Sequence, residues 1–151
     1  MRRPFRTLRA AAACTIAAAL LSGCVLPAWG EDSYRGKAQT TASAAQSEVA
    51  TAKLTVETLL RGSLQKAYAD EVVSADEAAL GSISDAFGSV QPPRASDELR
   101  SEVLDLVDEA GDAVADVRIA VRRGDRPALE ASVADLARLA DDLGKLEERL
   151  R

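Results

Sequence analysis

The stretch "DELRSEVLDLVDEAGDAVADVRIAVRRGDRPALEASVADLARLADDLGKLEERL", residues 97–150, decides the fold. Leu99, Val103, Leu106, Ala110, Ala113, Val117 and Ala120 recur at alternating spacings of four and three, which aligns them along one face of a helix. Ser96 or Asp97 stands where such a helix is capped. Gly124-Asp125 then makes a turn, and Pro127 fits the first turn of a following helix, where its missing N–H costs nothing. That helix carries Leu129, Val133, Leu136, Ala140, Leu143 and Leu150, with Leu139 and Leu146 widening its apolar face. Two helices joined by so short a turn run antiparallel.

Working outward, the first half repeats the pattern with smaller residues. Ala38, Ala42, Ala45, Val49, Ala52, Val56 and Leu59 form one seam; Gly62 suits the position just past a helix and Ser63 an N-cap. A second helix continues through Val73, Leu80, Ile83, Phe87 and Val90 until Gln91-Pro92-Pro93 stops it. Ser74-Ala75-Asp76-Glu77 also reads as a capping box that would start a new helix, so the start of helix 2 stays open between Ser63 and Ser74. The spacing predicts helices over about 33–61, 63–90, 97–123 and 126–150. The expected fold is all-α, an antiparallel up-down-up-down four-helix bundle. Arg61-Gly62-Ser63 and Arg123-Gly124-Asp125 stand at matching points, as in two similar helical hairpins. Alanine-rich seams let helices 1 and 3 approach their neighbours closely, which leaves little room for a cofactor.

Composition narrows the chemistry. The 151 residues include no histidine, one methionine (the initiator) and 3% aromatics, and both cysteines, Cys14 and Cys24, lie near the N-terminus. Without imidazole there is no Ser-His or Cys-His nucleophile pair and no histidine-ligated zinc; without a second methionine, haem and copper lose another ligand. No G-x-S-x-G, G-x-x-x-x-G-K-[ST] or G-x-G-x-x-G occurs. The expectation is therefore a protein that is not an enzyme and has neither cofactor nor resident metal.

Arg2, Arg3, Arg6 and Arg9 precede a stretch from Ala10 to Gly30 that carries no charge, the layout of an export signal. Leu21-Ser22-Gly23-Cys24 within it resembles the lipobox of bacterial lipoproteins, and the Ala- and Arg-rich composition is similar to that of actinobacterial ones. The resemblance implies a signal peptide over 1–23, a diacylglyceryl (palmitate-bearing) group on the sulfur of Cys24, a linker over 24–32, and a body over 33–151 held to the outer face of the cell membrane. Two other readings stand beside it: cleavage of an ordinary secretory peptide near Leu26-Pro27-Ala28, and retention of the uncharged run as an anchor. Arg2-Arg3-Pro4-Phe5 also resembles a twin-arginine export signal, so the export route stays open.

The intact chain has 19 basic and 24 acidic residues; removal of the first 23 residues leaves 15 basic ones and a formal net charge of −9. Such a body is not expected to bind nucleic acid or to lie flat on an anionic bilayer, so the lipid must hold it. Trp29 sits where an indole can rest among headgroups or pack as part of the linker. Tyr34, Tyr68 and Phe87 read as packing residues.

One surface stands out. Glu98, Glu102, Asp105, Glu109, Asp112 and Asp116 repeat at spacings of four and three along helix 3, and within that helix no Lys or Arg stands three or four residues from any of them. Arg138, Lys145 and Arg149 of helix 4 point outward by heptad position, which leaves the ridge partly open. It is a candidate contact surface for a basic protein partner or for divalent cations; the plainer reading is a solvated face. A calcium loop is not expected, because D-x-[DN]-x-[DN]-G is missing and carboxylates borne on one helix rarely wrap one ion. Two functional expectations follow: a membrane-anchored, non-enzymatic scaffold or interaction module, or a lipoprotein that binds a ligand or cation and delivers it to a membrane partner.

Overall fold

A computed structural model describes residues 30–151, and these form four helices: α1 (Glu31–Leu60), α2 (Lys66–Gly88), α3 (Asp97–Arg123) and α4 (Arg126–Leu150). The 1–23 segment, Cys24, Trp29 and most of the 24–32 linker lie outside the described residues.

Two left-handed glycines fix the topology. Gly62 (φ 75°) and Gly124 (φ 68°) end α1 and α3, each in a conformation that a Cβ would penalise. Gly62 N–H donates to Leu59 O and Ser63 N–H to Thr58 O; Gly124 N–H donates to Val121 O and Asp125 N–H to Ala120 O. These are matching Schellman closures, so the expected hairpin symmetry is real at the turns. Ser63 is thereby committed to closing α1 and does not cap α2, which starts at Lys66 with Gln65 in the N-cap position. No new helix starts at Ser74: α2 runs unbroken through 74–77. After Gly124, Asp125 accepts from Ala128 N–H at 3.2 Å and starts α4 with Pro127 in its first turn. Ser96 occupies the N-cap position of α3, but its side chain makes no capping hydrogen bond.

The helices pack as an antiparallel four-helix bundle, with α1 most extensively against α4 and α2 against α3. α1 also meets α3 across the diagonal. The alanine seam of α1 is buried as expected, from Ala38 through Val56, and Tyr34 extends it to the helix start. Tyr34 stacks on Phe87 of α2 with ring centroids 5.3 Å apart. In α3 the buried line is Val103, Val107, Ala110, Val114, Val117, Ala120 and Val121, with Leu99, Leu106 and Ala113 only partly buried. Val103, Ala110, Val117 and Ala120 of the expected seam are buried, and Val107, Val114 and Val121 widen it to one side, because α3 touches all three other helices and no single stripe serves it. In α4 the deepest residues are Leu136, Leu139, Leu143 and Leu146, while Val133 and Ala140 sit at the edge.

Each helix C-terminus receives a basic side chain from the first turns of its principal partner. Arg35 of α1 donates to Leu150 O at 3.0 Å, and Arg126 of α4 to Leu60 O at 3.2 Å. Lys66 of α2 donates to Arg122 O at 2.7 Å, and Arg100 of α3 to Val90 O at 2.9 Å and Gly88 O at 2.6 Å. Cations there satisfy orphan carbonyls and oppose the negative end of the helix dipole. The bundle is thus two reciprocally capped pairs, α1/α4 and α2/α3.

Candidate functional site

Regular 4-3 spacing on an unbroken α3 places all six ridge carboxylates, Glu98, Glu102, Asp105, Glu109, Asp112 and Asp116, on its exposed side. The strip from Glu98 to Asp116 is about 27 Å long at 1.5 Å per residue. Two positions are not open as expected: Arg138 of α4 bonds to Glu109 at 2.7 Å, and Arg149 bonds to Glu102. Heptad position gives the direction of a Cβ, whereas an arginine guanidinium reaches well beyond it and crosses to the next helix. Lys145 behaves as expected and pairs within its own helix, with Asp141 and Asp142. Glu98, Asp105, Asp112 and Asp116 have no ion partner among the described residues. Among those residues no three carboxylates converge closely enough to hold a metal ion. The ridge is a line of separate charges, suited to a partner that meets several of them along its length.

The aromatic residues divide. Tyr34 and Phe87 are core, but Tyr68, expected to pack, is 61% exposed at the first turn of α2, near the two glycine turns. Burial pushes the Tyr34 phenol upward, opposed by the neighbouring Arg100 charge. Its hydroxyl finds no hydrogen-bond partner. Arg100 already gives its guanidinium to the Gly88 and Val90 carbonyls.

No protein-family model, curated protein or solved structure matches this chain. Its chemistry must be read from its own residues.

The most unusual of these is one that apolar periodicity passes over. Asp76 of α2 is 5% exposed, and no donor reaches its Oδ2. It lies in the seam Ala69, Val73, Asp76, Leu80, so its side chain is aimed into the bundle. Across the interface Glu48 of α1, half-buried, stands within hydrogen-bonding reach of it. Burial first, then the charge of Glu48 and the hydrogen bond to it, pushes the Asp76 carboxyl up to about 7. Two carboxylates offer each other only acceptors, so a bond between them needs a proton on one. The spacing of four, three and four around Asp76 was the sequence signal for this site.

Lys66 and Tyr68 precede Asp76 on α2 by ten and eight residues, a separation of about 12–15 Å along the helix. Among the described residues no helix is long and apolar enough to cross a membrane.

Proposed function

We propose that the chain is an extracytoplasmic lipoprotein, held to the cell membrane through Cys24, whose helical bundle works without catalysis as a scaffold or interaction module. The observation that carries this reading is the order of the N-terminal sequence: arginines at 2, 3, 6 and 9, an uncharged run, then Leu21-Ser22-Gly23-Cys24 directly ahead of the folded body. α1 begins at Glu31, seven residues after Cys24, a reach of at most about 25 Å for an extended chain. The anchor would therefore hold the bundle by the end where α1 starts and α4 finishes, with the Gly62 and Gly124 turns at the far end. The α3 ridge then runs from the membrane side outward, and its unpaired carboxylates offer a basic protein a graded line of contacts. A net charge of −9 on the chain from Cys24 onward keeps it off an anionic surface and off nucleic acid.

The test is Cys24→Ala expressed beside the wild-type chain, followed by membrane fractionation and intact-mass measurement. The wild-type polypeptide should begin at Cys24, carry a diacylglyceryl mass and sediment with membranes, while the variant should keep its signal and lose the lipid. A variant of wild-type size in the membrane fraction, or a wild-type chain with residues 1–23 still attached, would overturn the reading.

A further inference from the structure

We infer that Asp76 keeps its proton at the α1–α2 interface and donates it to the facing Glu48 carboxylate, and that loss of this proton loosens the seam between the α1/α4 and α2/α3 pairs. This goes beyond the anchoring proposal and holds whether or not Cys24 carries a lipid.

α2 is tied to α3 by Glu77–Arg118, by Asp70–Arg122 at 2.8 Å, by Ser84 to Asp108 at 2.7 Å and by the Arg100 and Lys66 caps. α1 is tied to α4 by Arg35, by Arg126 and by Gln46 Nε2 to Ala140 O at 3.1 Å. α3 and α4 share the two exposed ion pairs Arg138–Glu109 and Arg149–Glu102. Among the described residues, no side-chain hydrogen bond or ion pair connects α1 to α2 apart from the inferred contact of Asp76 with Glu48.

No charge nearby takes the proton's place. On α1 the cation nearest Glu48 in sequence is Lys53, which is bound to Glu57 at 2.7 Å. On α3 the groups toward α2 are Arg118 and Arg122, held by Glu77 and Asp70, and the acids Asp108 and Asp112, which line a surface groove with Glu77 and Leu80. α4 does not touch α2. Of the charged groups on the packed elements, Glu48 is the one that acts on Asp76. With the proton on Asp76, its O–H donates to a carboxylate oxygen of Glu48 and satisfies Oδ2. Without it, two negative charges face each other at an apolar interface and only water can relieve them.

The test uses the full chain in detergent micelles, with thermal melting between pH 5.5 and 8.5 at fixed ionic strength and the carboxyl carbon of Asp76 followed by NMR. The wild-type midpoint should fall as pH rises, by on the order of 5 °C, and the Asp76 carbon should titrate near neutrality. Asp76→Asn keeps the shape without the charge and should melt with no slope over that range; Glu48→Gln should move the Asp76 titration down. A carboxyl carbon titrating near pH 4 in the wild type, or the same melting slope in Asp76→Asn, would overturn the inference. So would calcium or magnesium raising the wild-type midpoint at pH 8.5 but not that of Asp76→Asn, since the pair would then be a cation site.

Discussion

Arg100, in the first turn of α3, donates its guanidinium to the carbonyl of Gly88, the last residue of α2, at 2.6 Å. The same group also takes Val90 O and lies beside the buried Tyr34, so it combines a helix cap with support for the aromatic contact at that end of the bundle. Arg100 is half-buried, whereas Arg35, Lys66 and Arg126 are exposed. Charge-assisted bonds strengthen where water is excluded. Arg100→Met should therefore cost about 2 kcal/mol in urea denaturation, and Lys66→Met less than about 1 kcal/mol. Equal losses from the two would show that the caps do not differ by burial.

The α1/α4 contact supplies a second test. Nε2 of Gln46 lies 2.6 Å from where a Cβ on Gly144 would stand, and it donates to Ala140 O. Gly144→Ala forces the carboxamide away and breaks that bond, which offsets the helical preference of alanine, about 1 kcal/mol. In a Gln46→Ala background the space is free and only the preference is left. A double-mutant cycle should show Gly144→Ala neutral or destabilising alone and stabilising by about 1 kcal/mol beside Gln46→Ala. An additive cycle would mean that the glycine is not there for Gln46.

Much of this architecture is legible in the chain because glycine and apolar spacing act locally. Gly124-Asp125-Arg126-Pro127 marks its turn by backbone chemistry alone, and the Ala38 to Val56 seam follows from helical period. Where α2 starts was not legible, because the Schellman closure draws Ser63 N–H back to Thr58 and so removes the apparent cap. The Arg138 and Arg149 bridges were missed for another reason: sequence spacing fixes where a long side chain begins and not where it ends. Of the candidate site, the ridge positions were readable from their period; the Glu48–Asp76 pair was not. An acid at a seam position looks like an interruption until the facing helix is known to bring a second acid to it.

For the ridge, repulsion and bridging can be separated. Asp112 has acids at three positions around it on the same face, Asp108, Glu109 and Asp116. Asp112→Lys replaces those repulsions with attractions and should raise stability by about 0.5 kcal/mol, an effect that added salt diminishes. Arg138→Ala removes an exposed bridge and should cost less than about 1 kcal/mol. If the ridge is a docking strip, Asp112→Lys should also weaken recovery of a cross-linked basic partner from cells while the bundle itself melts higher. A gain in stability with unchanged partner recovery would leave the ridge as a solvated face.

Protonation of the buried Asp76 carboxyl also has to appear as protons counted on unfolding. The folded Asp76 carboxyl is raised to about 7 from an ordinary 3.8, so it still holds its proton at pH 5.5, where the unfolded chain has lost it. The stability tied to that proton is fully present below about pH 4 and is lost as pH rises through about 7, the opposite of an ion-paired carboxylate. Glu57 and Glu147 are of that ordinary kind, held below the usual range by hydrogen bonds from Lys53 and Arg151, and they take up protons on unfolding only in more acid solution. Unfolding near pH 5.5 should accordingly release about one proton per chain, read from calorimetric enthalpies in buffers of different ionisation heat. The release should fade toward pH 8.5 and vanish in Asp76→Asn. Proton uptake at pH 5.5 in the wild-type chain would mean that the Asp76 carboxyl is ionised in the folded bundle.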